Sequence, residues 1–123
     1  MILVDTSVWI DHFRSGVPHL AAALEKRLVA THAFVIGELA LGNLRQRDIV
    51  LASLRRLTTV PVVRDAELLE FIARRSLSGR GIGFVDAHLV AACHLSPGMR
   101  LWTRDRRLRS VAEEQGVVAA VDR

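Results

Sequence analysis

The sequence predicts an α/β sandwich built around a mainly parallel sheet. Three observations carry that expectation. Short apolar or β-branched runs alternate with stretches of helical periodicity. The first run, Ile2-Leu3-Val4, is apolar throughout, as a strand covered on both faces must be. The segment 84–95 is nearly all apolar, which places a helix deep in the fold. The 123 residues fit one domain, 1–123, and 50% of them are hydrophobic, enough for a packed core.

The elements follow in order. The first strand stops at Asp5, and Thr6-Ser7 opens a helix through Phe13, with Asp5, Thr6 or Ser7 available as its cap. Ser15-Gly16 breaks that helix. Pro18 begins the next, on which Leu20, Leu24 and Leu28 repeat at helical spacing. Residues 28–31 read as a second strand. A third helix covers 33–41 and ends at Gly42-Asn43. Asp48 is expected to cap a fourth, with Val50, Leu54 and Leu57 on its inner face. Thr59 to Val63 is β-branched and reads as a strand, and Pro61 within it argues for a sheet edge. Asp65 is expected to cap a helix carrying Leu68, Leu69 and Ile72. Gly79, Gly81 and Gly83 make a flexible loop; no strand precedes them and their spacing is not that of a dinucleotide-binding turn. After the helix 84–95, Pro97-Gly98 turns the chain into a strand over 100–103. Asp105 opens a last helix to Gln115, Gly116 ends it, and 117–121 reads as a final strand.

Composition narrows the function. Basic residues number 17 against 13 acidic, a net charge of +4, and Lys26 is the only Lys. Arg grips phosphate bidentately where Lys does not, so the sequence pI of about 10.9 points to a polyanionic partner as readily as to an Arg-rich codon bias. Cys93 is the only cysteine and sits in the apolar run Leu89-Val90-Ala91-Ala92-Cys93. That excludes an internal disulfide and a Cys-rich zinc site, and it reads as a buried thiol. The first residues carry no basic leader, and no apolar run approaches the ~18 residues of a membrane span. A cytoplasmic protein with no membrane partner is expected.

Four acids stand where an explanation is needed. Asp5 ends the first strand, and open parallel sheets bind ligands beyond the carboxyl ends of their strands. Glu38 lies among Val35, Ile36, Gly37, Leu39, Ala40 and Leu41, where burial without a partner costs several kcal/mol. Asp86 shares the inward face of Leu89, Val90 and Cys93 on the apolar helix. Asp105 repeats, after the strand 100–103, the setting of Asp5. Singly, Asp5, Asp86 and Asp105 read equally as helix caps; Glu38, if it does not look inward, lies on a narrow polar face or pairs with an Arg. Together, adjacent parallel strands would bring all four into one cleft. Four clustered carboxylates cannot all stay ionised without cations between them. Hard oxygen ligands select Mg²⁺ or Mn²⁺; zinc is disfavoured, because no His pair has ligand spacing beside these acids. An acid cluster on an Arg-rich chain suits metal-assisted attack on a nucleic-acid backbone.

Val4-Asp5-Thr6-Ser7-Val8-Trp9 resembles the opening motif of PIN domains, a strand ending in Asp followed by Thr or Ser. Glu38-Leu39 resembles the family's second acid, Val85-Asp86-Ala87-His88-Leu89-Val90-Ala91-Ala92 its third motif, and Leu101-Trp102-Thr103-Arg104-Asp105 its fourth. Order, spacing and length are similar over essentially the whole chain, and the subgroup resembled is the VapC-type toxins. The resemblance implies a three-layer α/β/α sandwich and Mg²⁺- or Mn²⁺-dependent endoribonuclease activity. It makes Asp5, Glu38, Asp86 and Asp105 the metal-binding and catalytic acids, and Thr6, Ser7 and Thr103 hydroxyls that support them or touch substrate. It also implies a homodimer and a small antitoxin whose C-terminal segment lies across the active site. His88 departs from the pattern, standing where relatives carry an aliphatic residue; it lies off the face of Asp86 and reads as a surface or partly buried His.

Other residues admit two readings. Arg104, Arg106, Arg107 and Arg109 crowd the start of the last helix, either tracking RNA at the cleft mouth or forming a solvated basic face. Arg74, Arg75 and Arg80 border the glycine loop and point to RNA more weakly. Trp9 and Phe13, four apart, either line a groove for an antitoxin helix or dimer partner, or supply core. His12, His19, His32 and His94 have no mutual spacing of a site. A receiver domain is excluded: Thr6 stands where a second acid is needed, and Lys26 comes too early. A haloacid-dehalogenase phosphatase is excluded by Ser7, where that chemistry needs a second Asp. A PIN fold that binds RNA or a partner without cutting it is the alternative, and the presence of all four acids argues against it.

Overall fold

Val4 and Trp102 sit opposite each other in two neighbouring strands that run the same way, and the rest of the sheet extends from that pair. The computed structural model describes residues 1–121. Its strands are β1 (Ile2–Val4), β2 (Val29–His32), β3 (Thr58–Val60) and β4 (Arg100–Trp102). They form one sheet in the order β3-β2-β1-β4, with every pairing parallel. All four carboxyl ends therefore open at one edge. The helices are α1 (Thr6–Ser15), α2 (Pro18–Glu25), α3 (Ala33–Ala40), α4 (Arg47–Arg55), α5 (Asp65–Arg74), α6 (Phe84–Leu95) and α7 (Arg106–Glu114). Parallel strands need crossover connections, which the helices supply, covering the sheet as an α/β/α sandwich. Every residue of β2 is buried, as coverage on both faces requires. Leu3, Val4, Leu101 and Trp102 form the middle of the core, and Val63, Leu68, Ala87 and Ala91 form a smaller cluster between α5 and α6. Among the described residues, no helix is long and apolar enough to cross a membrane.

The pattern-based boundaries hold for β1, α1, α3, α6 and α7 to within about two residues, whereas α2 stops at Glu25 and leaves Leu28, expected on its repeat, outside the helix and exposed. Helix α6 is buried continuously from Ala87 to Cys93, because its sequence offers no polar face to water. Several expectations are corrected. Asp48 does not cap α4: Gln46 does, with a left-handed φ of 52°, and Asp48 lies in the first turn, where its charge suits the helix dipole. The buried residues of α4 are Leu51 and Leu54, with Val50 and Leu57 only half-buried. Arg64 rather than Asp65 precedes α5, and Leu69 faces solvent because one residue's step from Leu68 turns it about 100° away.

The strand expected over 59–63 stops at Val60, since Pro61 has no N–H for the ladder; its edge position is as expected. The last strand, expected over 117–121, is reduced to one parallel bridge between Val118 and Leu101. Leu101 N–H donates to Val117 O at 2.6 Å and Ala119 N–H to Leu101 O at 2.8 Å. Val117 N–H is occupied by Ala112 O at the end of α7, and β4 is itself only three residues long, so no longer ladder forms. The glycine loop is not slack. Gly79 and Gly81 adopt φ of 73° and 78°, and the segment is tied to α7 by paired Arg80–Glu114 hydrogen bonds.

Candidate active site

Because β1 and β4 are adjacent and parallel, the residues that follow them meet. Asp5 N–H donates to Trp102 O at 2.9 Å, which sets Asp5 beside Thr103. The Asp5 side chain does not cap α1. Its Oδ2 instead accepts from Ser7 Oγ at 2.8 Å and Thr103 Oγ1 at 2.7 Å. Each hydroxyl is held in turn by backbone: Arg104 N–H donates to Ser7 Oγ at 3.0 Å and Asp105 N–H to Thr103 Oγ1 at 3.1 Å. Two hydroxyls thus lock a carboxylate that is only 5% exposed to the chain that leads into Asp105.

The other acids join from α3, α6 and α7. Thr6 Oγ1 donates to Glu38 Oε1 at 2.7 Å, joining the start of α1 to α3. Glu38 is exposed on the polar side of α3, one of its two alternative readings, and the inward-looking one is corrected; Val35 and Leu39 take the buried side. Half-buried Asp86 accepts from Gly83 N–H through Oδ2 at 3.0 Å. Asp105 caps α7, accepting from Leu108 N–H through Oδ1 at 3.0 Å.

The bonds above use one oxygen of each acid, and Asp5 Oδ1, Glu38 Oε2, Asp86 Oδ1 and Asp105 Oδ2 take no part in them. Among the described residues no Lys, Arg or His pairs with any of the four. The Asp86 carboxyl is raised above the ordinary carboxylate range, first by burial and further by the negative fields of Asp5, Asp105 and Glu38, against the Gly83 N–H. All four acids therefore share one electrostatic neighbourhood. Among the described residues, no three His, Cys, Asp or Glu side chains stand close enough together to hold one ion between them. The donors are nonetheless all anionic oxygens, without neutralising partners. That set fits Mg²⁺ or Mn²⁺, which keep several waters and need only one or two carboxylates.

Around the acids, the arginines divide. Arg104 is paired with Asp11 at 2.7 Å, whereas Arg106 and Arg107 are exposed. Of the two readings for this pair, Trp9 takes the core one at 3% exposure, which removes it from the partner groove, and Phe13, stacked on it at 5.6 Å, is 39% exposed. A groove of about 650 Å³ runs from Glu38 past Phe13, Arg14, Asn43 and Arg45.

His88 is also corrected. It is fully buried, its ring edge-to-face with Phe34 and Phe84 at 4.8 Å each, because α6 is enclosed on more than one side. His32 is equally buried, and its Nδ1 caps α3 by accepting from Phe34 N–H at 3.0 Å. That cap was not read from sequence, though its place between β2 and an apolar helix was the available signal. Cys93 is buried, and burial pushes its thiol up to about 12, far from a nucleophile.

The sequence-family model described as "PIN domain" matches residues 2–114. The chain belongs to the PIN-domain family. Two curated PIN-domain relatives, both called "Ribonuclease VapC32", from Mycobacterium tuberculosis strains CDC 1551 / Oshkosh and ATCC 25618 / H37Rv, are each 49% identical over 120 residues. The match spans 98% of this chain and 97% of each relative. The resemblance to VapC-type ribonucleases drawn from the four motifs agrees with both findings.

Proposed function

We propose that this PIN domain is an endoribonuclease of the VapC type, a toxin that hydrolyses RNA phosphodiester bonds with Mg²⁺ or Mn²⁺. Asp5, Glu38, Asp86 and Asp105 hold the ion and act in catalysis, and Thr6, Ser7 and Thr103 fix their orientation. What supports this reading is the PIN-domain match over residues 2–114, together with acids set about the carboxyl edge of the sheet, none of them paired to a cationic side chain among the described residues. When bound, the ion supplies Lewis acidity, making water a stronger nucleophile near neutral pH and offsetting charge on the phosphate.

The chain's own residues do the rest. Ser7 and Thr103 hold Asp5 Oδ2, so that Oδ1 is presented in one orientation. Thr6 does the same for Glu38. Burial and the fields of Asp5, Asp105 and Glu38 disfavour the ionised Asp86 carboxyl, and a cation among these acids would relieve that. Arg106 and Arg107 stand exposed at the start of α7, where the RNA backbone would pass. A small antitoxin is the expected protein partner, with exposed Phe13 rather than Trp9 offered to its helix, in a cytoplasmic homodimer.

The test is incubation of the purified chain with total RNA, with Mg²⁺ or Mn²⁺ and then with EDTA. Cleavage should appear with metal and stop with chelator. Losing a partner of a metal ligand costs about 10–100-fold, so Asp5→Asn, which alters the ligand, should cost more while leaving RNA binding in place. Cleavage that survives both EDTA and Asp5→Asn would overturn the reading.

A further inference from the structure

Segment 79–83 runs from the side of α7 to the Asp86 carboxylate and is held by three hydrogen bonds. Arg80 Nη1 and Nη2 donate to Glu114 Oε2 and Oε1 at 2.5 and 2.9 Å. Gly83 N–H donates to Asp86 Oδ2 at 3.0 Å. Between them, Gly81 lies against the side chain of Arg107: a Cβ built on it would meet Cδ at 2.8 Å, Nη1 at 2.9 Å and Nε at 3.2 Å. Arg107 and Glu114, seven residues apart on α7, share a face, and the segment lies along that face.

The arginines near this edge differ in what neutralises them. Arg104 is paired with Asp11, Arg80 with Glu114, and Arg109 lies 3.3 Å from Glu113. Arg107 is exposed and, among the described residues, has no acidic partner; it rests on bare backbone. It follows Asp105 by two residues on one side. On the other, Gly81 precedes by two the glycine that caps Asp86, which keeps those two Cα atoms within about 7 Å.

We propose that Arg107 binds a phosphate of the RNA strand at the rim of the acid cleft, and that Gly81 is the seat that aims it. This rests on the ribonuclease reading and names how that site takes its substrate. A phosphate approaching four carboxylates meets repulsion, and an un-neutralised guanidinium at the rim offsets it with a bidentate grip. Glycine is needed at 81 twice over. Its φ of 78° disfavours any L side chain, and a Cβ would displace the guanidinium. The clash falls on the flexible end of Arg107, so a substitution moves that side chain before it moves the backbone.

The test is binding of a fluorescent single-stranded RNA by the full chain in EDTA, where no metal-dependent cutting occurs, across a KCl series. Arg107→Ala should weaken binding about tenfold and reduce the slope of log K against log[salt] by about 0.7, the value of one phosphate contact on a single strand. Arg107→Lys should restore most of the slope. Gly81→Ala should weaken binding in the wild-type background and add nothing in the Arg107→Ala background. An unchanged slope in Arg107→Ala, or equal losses from Gly81→Ala in both backgrounds, would overturn the proposal. Should Gly81→Ala not fold, the Arg107 pair still decides it. Failure of the ribonuclease reading is a separate result: wild-type chain that leaves RNA intact with Mg²⁺ and with Mn²⁺, whatever the slopes.

Discussion

Thr103 Oγ1 gives its proton to Asp5 and takes one from Asp105 N–H, so one hydroxyl fixes two of the four acids. Thr103→Val keeps the shape and removes both bonds. A buried carboxylate that loses a donor costs about 1–3 kcal/mol, so the midpoint of thermal unfolding should fall by several degrees. RNA cleavage should fall about 10–100-fold with a higher Mg²⁺ requirement, because the ligand's orientation is what is lost. A variant cutting RNA at the wild-type rate would place Thr103 outside the site. At this scale the acids were legible for a physical reason. An acid at the end of an apolar strand, or inside an apolar helix, contradicts its surroundings, and Asp5, Glu38, Asp86 and Asp105 each did so. The partners were less legible. Thr103, Ser7 and Thr6 are ordinary residues whose roles depend on contacts that span 96 or more residues for Ser7 and Thr103, and 32 for Thr6 and Glu38. The burial of His88 was hidden because a helix enclosed on several faces, as α6 is, gives no period to read.

At the scale of elements, α6 was read to its end residues, since its apolar composition and the flanking Gly83 and Pro97 leave little choice. The short strands were harder. Pro61 ended β3 early, a local effect whose exact place the pattern missed, and the final segment pairs through a single residue, an outcome set by the length of β4 rather than by local composition. The cap of α3 carries a testable consequence. Burial, with the His88 field second, lowers the His32 pKa to about 4 from 6.5. The unfolded chain then binds a proton at a pH where the folded one does not. Stability is therefore full above the unfolded value near 6.5 and declines as pH falls toward 4, by an amount of order 3 kcal/mol if the whole shift is realised. His32→Asn keeps a side-chain acceptor at the cap and does not titrate. Urea unfolding at pH 7, 6, 5 and 4 should show a shallower decline for the variant; parallel curves would mean that His32 is protonated without cost.

Across the whole molecule, a chain with 17 basic and 13 acidic residues gathers four of its acids at one sheet edge. The parallel sheet was legible because apolar runs alternate with helical periods. The order β3-β2-β1-β4 was not, since nothing local to β1 says that β2 and β4 are its neighbours. Crowding like charge in one place costs stability, and Asp86 bears that cost: burial and three acids raise its carboxyl, so the ionised form weighs against the fold. A carboxyl raised in the folded state destabilises progressively as pH climbs from the unfolded value of 3.8 through the folded one, and the penalty is complete only above the folded one. Two outcomes follow at pH 7. Asp86→Asn, which can still accept from Gly83 N–H, should unfold at a higher temperature than the wild type in EDTA. Mg²⁺ or Mn²⁺ should raise the wild-type midpoint, by about 2.7 kcal/mol of stability at a hundred times the dissociation constant, and should raise that of Asp86→Asn much less. Scanning calorimetry of the two chains with and without metal reads both effects. A wild-type midpoint indifferent to either ion, beside an Asp86→Asn midpoint no higher than wild type, would mean that the four acids do not act on one another through a shared cation site.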